Sequence, residues 1–117
     1  MSFKFEKIIV WQRSMEYGEM LFNLSEKFPE REKFNLTSQI TRAGDSIALN
    51  IAEGAILQSK PEFQRFLGYS IRSLAEVVTC LYKAKNRKYI NQEEFEFHYK
   101  FAFDLMNSLI AFRKNLK

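Results

Sequence analysis

Four sets of residues in this sequence are of types that carry chemistry, and their spacing decides what each can do. His98 is the only histidine and Cys80 the only cysteine. A reactive thiol needs a base or a cation beside it, and a general base needs a pocket to serve. Cys80 has no histidine near it in the sequence, and His98 stands inside the aromatic run FEFHYKFAF. Cys80 therefore reads as a buried structural thiol and His98 as a packed or partly exposed ring. No Cys/His cluster has zinc spacing, the carboxylates lack a calcium-loop pattern, and the four glycines are too scattered to cradle phosphate. The expectation is a protein without catalytic residues, metal or cofactor, and not an enzyme.

The second set is basic. Lys83, Lys85, Arg87 and Lys88 gather where a third helix should end, and Lys27, Arg31 and Lys33 fall at the same end of a bundle. With a formal charge of +4 and a pI near 9.2, they form a candidate surface for nucleic-acid phosphates, bound through charge and without sequence readout. Glu26, Glu30, Glu32, Glu93, Glu94 and Glu96 share that end. A helix-dipole complement on a solvated face thus stays open for the isolated chain.

The third set is a polar ladder. In the stretch SIALNIAEG, Asn50 and Glu53 interrupt small apolar residues, and they continue a row of Gln39, Arg42 and Ser46 at spacings of 3, 4, 4 and 3. Across an antiparallel neighbour, Arg42 comes level with Glu76, and Glu53 with Arg65 or the backbone of the 55–59 loop. These pairings, within or between subunits, are expected to set register and oligomer state. A ligand site is the other reading.

The elements that position these residues follow from periodicity and capping. Gly and Pro are scarce, which leaves few turns and favours a few long helices. A first helix over about 9–27, ended by Pro29, carries Trp11, Met15, Gly18 and Phe22 on one stripe with Leu21, Leu24 and Phe28 beside it. A second, over about 35–53, has Leu36, Ile40, Ala43, Ile47 and Ile51 as its core stripe and Gly54 as a C-terminal glycine. A third, over about 59–87, opens on a capping box of Ser59 and Glu62; a fourth, over about 91–115, opens on Asn91 and Glu94. The chain reads as a single all-α domain, 1–117, folded as an antiparallel up-down-up-down four-helix bundle.

The fourth set is apolar. Phe95, Tyr99, Ala102, Met106, Leu109 and Ile110 form one stripe of the last helix, and Phe97, Phe101, Leu105 and Phe112 a second about 120° away. Ala48, Leu49 and Ala52 similarly line an extra side of the second helix. A bundle interior needs only a little over 100° of each helix. The second arc and the Ala48–Leu49–Ala52 side are therefore expected to be covered in a homo-oligomer. The lone cysteine is suited to a reducing cytoplasm, and the N-terminus MSFKFEKIIV has no signal-peptide core. No apolar run reaches the ~20 residues of a membrane span.

The stretch VWQRSMEYGEMLFNLSEKFPEREKFNLTSQITRAGDSIALNIAEG, followed by SKPEFQRFLGYSIRSLAEVVTCLYKA, resembles the bacterial four-helix-bundle family of 23S ribosomal RNA intervening-sequence proteins. Trp11, Phe28-Pro29, Leu36 with Gln39, Arg42-Ala43, Ser46-Ile47, Asn50 to Gly54, Phe63, Phe66-Leu67 and Ser73-Leu74 with Glu76 carry the likeness. The resemblance implies a left-handed antiparallel bundle assembling as a ring-like homopentamer. It also implies kinship with accessory proteins of diversity-generating retroelements, which bind a reverse transcriptase and nucleic acid through a basic pentameric barrel. Two positions depart from the family pattern. Ala55-Ile56-Leu57-Gln58 lacks the basic residue that often follows the glycine, and Arg72 stands where glycine is usual. The function expected is a non-enzymatic scaffold that binds nucleic acid, structured RNA foremost. The alternative is a protein-interaction hub, with a protein such as a reverse transcriptase as partner.

Overall fold

Capping chemistry and periodicity divide the chain much as expected. The computed structural model describes residues 1–57 and 59–117. It contains helices α1 Ile9–Ser25, α2 Leu36–Ile56, α3 Lys60–Asn86 and α4 Gln92–Lys114. Short 3-10 turns at Lys4–Lys7 and Glu30–Glu32 precede α1 and α2. No strand occurs among the described residues.

The box at α4 is complete: Glu94 N–H donates to Asn91 Oδ1 at 2.7 Å and Asn91 N–H to Glu94 Oε1 at 2.9 Å. The box expected at α3 is half made. Glu62 N–H donates to Ser59 Oγ at 3.3 Å, but the Glu62 carboxylate turns forward to Arg65 Nε at 3.1 Å. A guanidinium one turn ahead is the stronger partner for a carboxylate.

Consecutive helices run antiparallel. Gln64 near the start of α3 meets Arg113 at the end of α4, and Asn35, just before α2, shares Glu32 with Arg87, just after α3. The α2–α3 contact is the most extensive and the α1–α4 contact the thinnest, while the diagonal pairs keep their Cα atoms more than 8 Å apart and meet only through core side chains. At 1.5 Å per residue the 27 residues of α3 span about 40 Å, which sets the 44 Å long axis. The core stripe expected on α2 is buried in full, and it meets Tyr17, Leu21, Leu67, Leu74, Leu81, Leu105 and Leu109.

Three expectations change on packing. On α1 the stripe of Trp11, Met15, Gly18 and Phe22 is real but faces the α1–α2 seam, with Met15 and Phe22 about half exposed. Val10, Ser14, Tyr17, Leu21 and Leu24 make the core face instead. Gly54 does not end α2. The helix continues to Ile56, and no glycine in the described chain has positive φ. A Cβ at Gly54 would lie 2.7 Å from Phe66 Cβ, so the glycine serves a close crossing with α3. On α4, Leu105 is fully buried, Phe101 stacks on Tyr17 at 4.6 Å and Phe112 meets Phe63 edge-on at 5.9 Å. These three belong to the subunit's own interior, because α4 packs between α1 and α3 and uses both flanks of its apolar arc. Only Phe97 of that second stripe stays exposed.

The left-handed residue is Lys88, at φ 65°. Tyr89 N–H reaches Ala84 O at 2.9 Å and Lys88 N–H reaches Lys85 O at 3.0 Å, the paired bonds that close a helix around a residue of this conformation. Glycine takes that conformation without Cβ strain. Lys88→Gly should raise the thermal midpoint by roughly 2–4 °C, a gain of about 0.5–1 kcal/mol. Circular dichroism melting checks it, and an unchanged or lowered midpoint counts against a strained Lys88.

Candidate functional site

The cations expected at one end do converge there, but the structure uses several of them internally. Glu32, only 6% exposed, is the hub. It accepts from Tyr89 Oη at 2.6 Å, Arg87 Nη1 at 3.2 Å, Asn35 Nδ2 at 3.0 Å and the first backbone N–H of α2, Leu36, at 3.3 Å. A negative charge at a helix N-terminus satisfies an orphan donor and the helix dipole together. Asn35, expected to start the helix, makes no side-chain cap. Lys27 pairs with Glu94, and Lys33 lies 4.0 Å from Glu30. Arg31 covers the Tyr89 ring at 5.8 Å and Lys85 the Phe95 ring at 4.4 Å. Lys83 and Lys88 have no carboxylate partner among the described residues. The sequence signal for Glu32 was its place four residues ahead of Leu36, masked by its many acidic neighbours.

Two groups at this end make stability depend on pH. Hydrogen bonding, led by Tyr89, holds the Glu32 carboxyl below its ordinary range. Its stabilisation is present above the unfolded carboxylate pKa of about 4.3 and disappears as pH falls through the lowered folded value. Burial pushes His98 down from its ordinary 6.5. The unfolded chain thus takes up a proton first, and stability declines from about pH 6.5 down to the folded value. The thermal midpoint should be level from about pH 6.5 to about 8, above which ionisation of the unfolded Cys80 thiol begins to lower it; below about 6.5 it should dip once in the histidine range and fall again in the carboxylate range. His98→Gln should remove the first step and Glu32→Gln reduce the second. A profile level down to pH 4 counts against both assignments.

The polar ladder is real but paired differently from the expectation. Ser46 Oγ donates to Ser73 Oγ at 2.6 Å, bridging α2 to α3, and Asn50 Nδ2 donates to Ser46 O at 2.9 Å. Gln39 Nε2 donates to Asn35 Oδ1 at 3.0 Å. Within the chain Arg65 is bonded to Glu62 and to Tyr69 Oη, not to Glu53, and no ion pair joins Arg42 to Glu76. The near partner on Arg65's own helix wins because it costs no reach across the seam. Glu53 and Arg42 are exposed. Gln58, in the loop considered for Glu53, lies outside the described residues.

Apolar surface is left on two opposite edges. On the α1–α2 edge Gly18 and Gly44 face each other across the seam: a Cβ on Gly44 would lie 3.9 Å from Gly18 Cα and only 3.0 Å from Leu21 Cδ1. Above this floor runs a groove of about 430 Å³ walled by Phe5, Trp11, Met15, Ala48, Leu49 and Ala52. Ala48 is buried, Ala52 half-buried and Leu49 exposed. Glu19 and Asp45 also line it, and burial together with the Glu19 charge raises the Asp45 carboxyl. On the α3–α4 edge Tyr82, Tyr99, Phe103 and Ile110 are exposed, with Tyr99 stacked on Phe103 at 6.4 Å.

His98 and Cys80 are both buried. Tyr17 Oη donates to the His98 carbonyl at 2.7 Å, and His98 Nδ1 has no partner among the described residues. Burial raises the Cys80 thiol and so lowers its thiolate fraction. No cluster of three metal-ligating side chains occurs among the described residues, and no described helix is long and apolar enough to cross a membrane.

The 23S rRNA-intervening sequence protein family model matches residues 6–111. The chain belongs to that family. A crystal structure of a protein of unknown function from the S23 ribosomal protein family of Bacteroides thetaiotaomicron is similar, with TM-score 0.84 and 27% identity over 92% of this chain and 96% of that one. No curated protein matches the chain in sequence.

In this intervening-sequence protein the residues of SIALNIAEG have packing roles. Ile47 and Ile51 are core, and Ile47 O accepts from Ser70 Oγ at 2.8 Å. Ser46 bridges α2 to α3, Asn50 bonds back to Ser46 O within α2, and Gly54 brings α3 close. Leu49 is exposed on the groove wall, and the Glu53 carboxylate has no ion-pair partner among the described residues.

Proposed function

We propose that this protein is a non-enzymatic, ring-forming homo-oligomer that acts as a binding module, presenting repeated basic ends to nucleic acid, structured RNA foremost. The observation that carries the assembly is the pair of unlike apolar faces on opposite edges of the bundle. An acidic-lipped groove lies on α1–α2 and an aromatic ridge on α3–α4. Two unlike faces join head to tail, and such contacts close into rings when the rotation allows. Five subunits is the number that the family resemblance favours. Ring symmetry would repeat Lys83, Lys88, Arg31 and Lys85 around one rim, so a modest local charge becomes multivalent. A non-catalytic role accords with a thiol and an imidazole that are buried and held in their neutral forms.

Light scattering should give about five times the 13.9 kDa chain mass, and RNA should be retained on filters at low salt with a steep salt dependence. A monomer at micromolar concentration overturns the ring. No retention of RNA or DNA overturns the nucleic-acid role. The internal pairing of Lys27, Lys33 and Arg87 favours the second reading, a protein-interaction hub, for which a partner held at high salt would be the sign.

A further inference from the structure

Along α3, the residues Arg65, Tyr69, Arg72, Glu76, Thr79 and Lys83 follow one another at spacings of 4, 3, 4, 3 and 4. They form one row on the face beside the polar ladder of α2. Between the rows lie two cavities of about 430 and 420 Å³ that share Arg72 and Glu76 as walls, making one groove along the seam. Its α3 wall runs from Tyr69 to Cys80, about 16 Å at 1.5 Å per residue.

The chemistry of this groove is mixed in a particular way. The Arg72 guanidinium lies over the Tyr69 ring at 4.9 Å, with Arg65 5.6 Å from the same ring. Neither Arg72 nor Arg42 is joined to a carboxylate among the described residues. Arg42 stands close enough for its charge to act on Cys80, which lines the groove. Asn50 and Gln39 donate their amide N–H groups to Ser46 O and Asn35 Oδ1. Their carbonyl oxygens take no bond among the described residues and remain as acceptors.

We propose that the α2–α3 groove is a track for single-stranded nucleic acid. A base stacks on the Tyr69–Arg72 layer, phosphates pair with Arg42 and Arg72, and base amino groups donate to Glu76 and the amide oxygens. Aromatic rings and guanidinium planes are the usual platforms for unpaired bases, and an unpaired base presents its polar edge as a duplex does not. An acidic peptide fits worse. Its carboxylates would face Glu76 and two amide oxygens, and it has no planar group for the stack. The track rests on the nucleic-acid reading above and moves its main contact from the rim to the seam.

The test is fluorescence anisotropy of a labelled single-stranded RNA 12-mer against the full chain over a salt series, with the mass of each variant followed by light scattering. Arg42→Gln with Arg72→Gln should weaken binding at least tenfold and reduce the log K–log salt slope by about 1.4, the value for two phosphate contacts on a single strand. Tyr69→Leu should weaken it about five- to hundredfold with little change in slope, since stacking is not ionic. Lys83→Gln with Lys88→Gln should have the smaller effect. If the rim pair abolishes binding while the groove variants bind normally, the track is overturned and the rim reading stands. If wild-type protein binds no RNA at low salt, both fall. Equal competition by polyglutamate of matched charge overturns the stacking track. A groove variant that loses RNA only together with its oligomer mass assigns the groove to subunit contact and overturns the proposal.

Discussion

Gly54→Val should destabilise the fold by about 1–3 kcal/mol, a fall of roughly 4–12 °C in thermal midpoint. The glycine lies inside α2 with ordinary helical φ, so backbone strain is not the cause. By helix propensity alone any side chain would help there, by up to about 1 kcal/mol. Packing decides the sign. A Cβ would sit 2.7 Å from Phe66 Cβ and 2.9 Å from Phe63 Cδ1. Phe66 Cβ is fixed to the α3 backbone, so relief requires the two helices to part. That parting also strains the Ser46–Ser73 bridge and the Ser70 bond to Ile47 O. Gly54→Ala should lose less, because it adds one carbon and regains propensity. A Gly54→Val protein that melts at or above the parent temperature would remove the close crossing as the reason for the glycine.

If the proposed five-chain ring forms, Leu49→Glu and Ile110→Glu should each reduce it to single chains. Leu49 is 59% exposed on the wall of the α1–α2 groove, and Ile110 is 48% exposed on the opposite edge. Neither change touches the core, so each monomer should keep its helical circular dichroism. A third carboxylate at position 49 would join Glu19 and Asp45, and an unpaired charge in a closing apolar contact costs several kcal/mol. The mixture is the sharper measurement. Leu49→Glu protein keeps a sound α3–α4 edge and Ile110→Glu protein a sound α1–α2 groove. Mixed at equal concentrations, they should form one contact that cannot propagate, and so a dimer. A symmetric interface using the same face twice would give no such rescue. Full mass retained by either single variant would show that its face is not the contact.

What the sequence determined by itself was local. Helix starts at Ser59 and Asn91 depend on a cap and the next turn, and the Leu36–Ile51 core stripe depends on spacing along one helix. Both signals lie within a few residues and survive any tertiary arrangement, and the family likeness rests on the same short-range residues. Packing decided the rest. Glu32 became a hub because the fold brings Arg87 and Tyr89, 55 and 57 residues away, onto its carboxylate. Arg65 turned to Glu62 on its own helix, and Gly54 proved to be a spacer against α3. The aromatic arc of α4 was divided by its neighbours: Phe101, Leu105 and Phe112 went to the interior, while Phe97, Phe103 and Ile110 were left outside. Periodicity states the angle at which a side chain leaves its helix. Only the positions of the other three helices decide whether that angle meets a core, a seam or water.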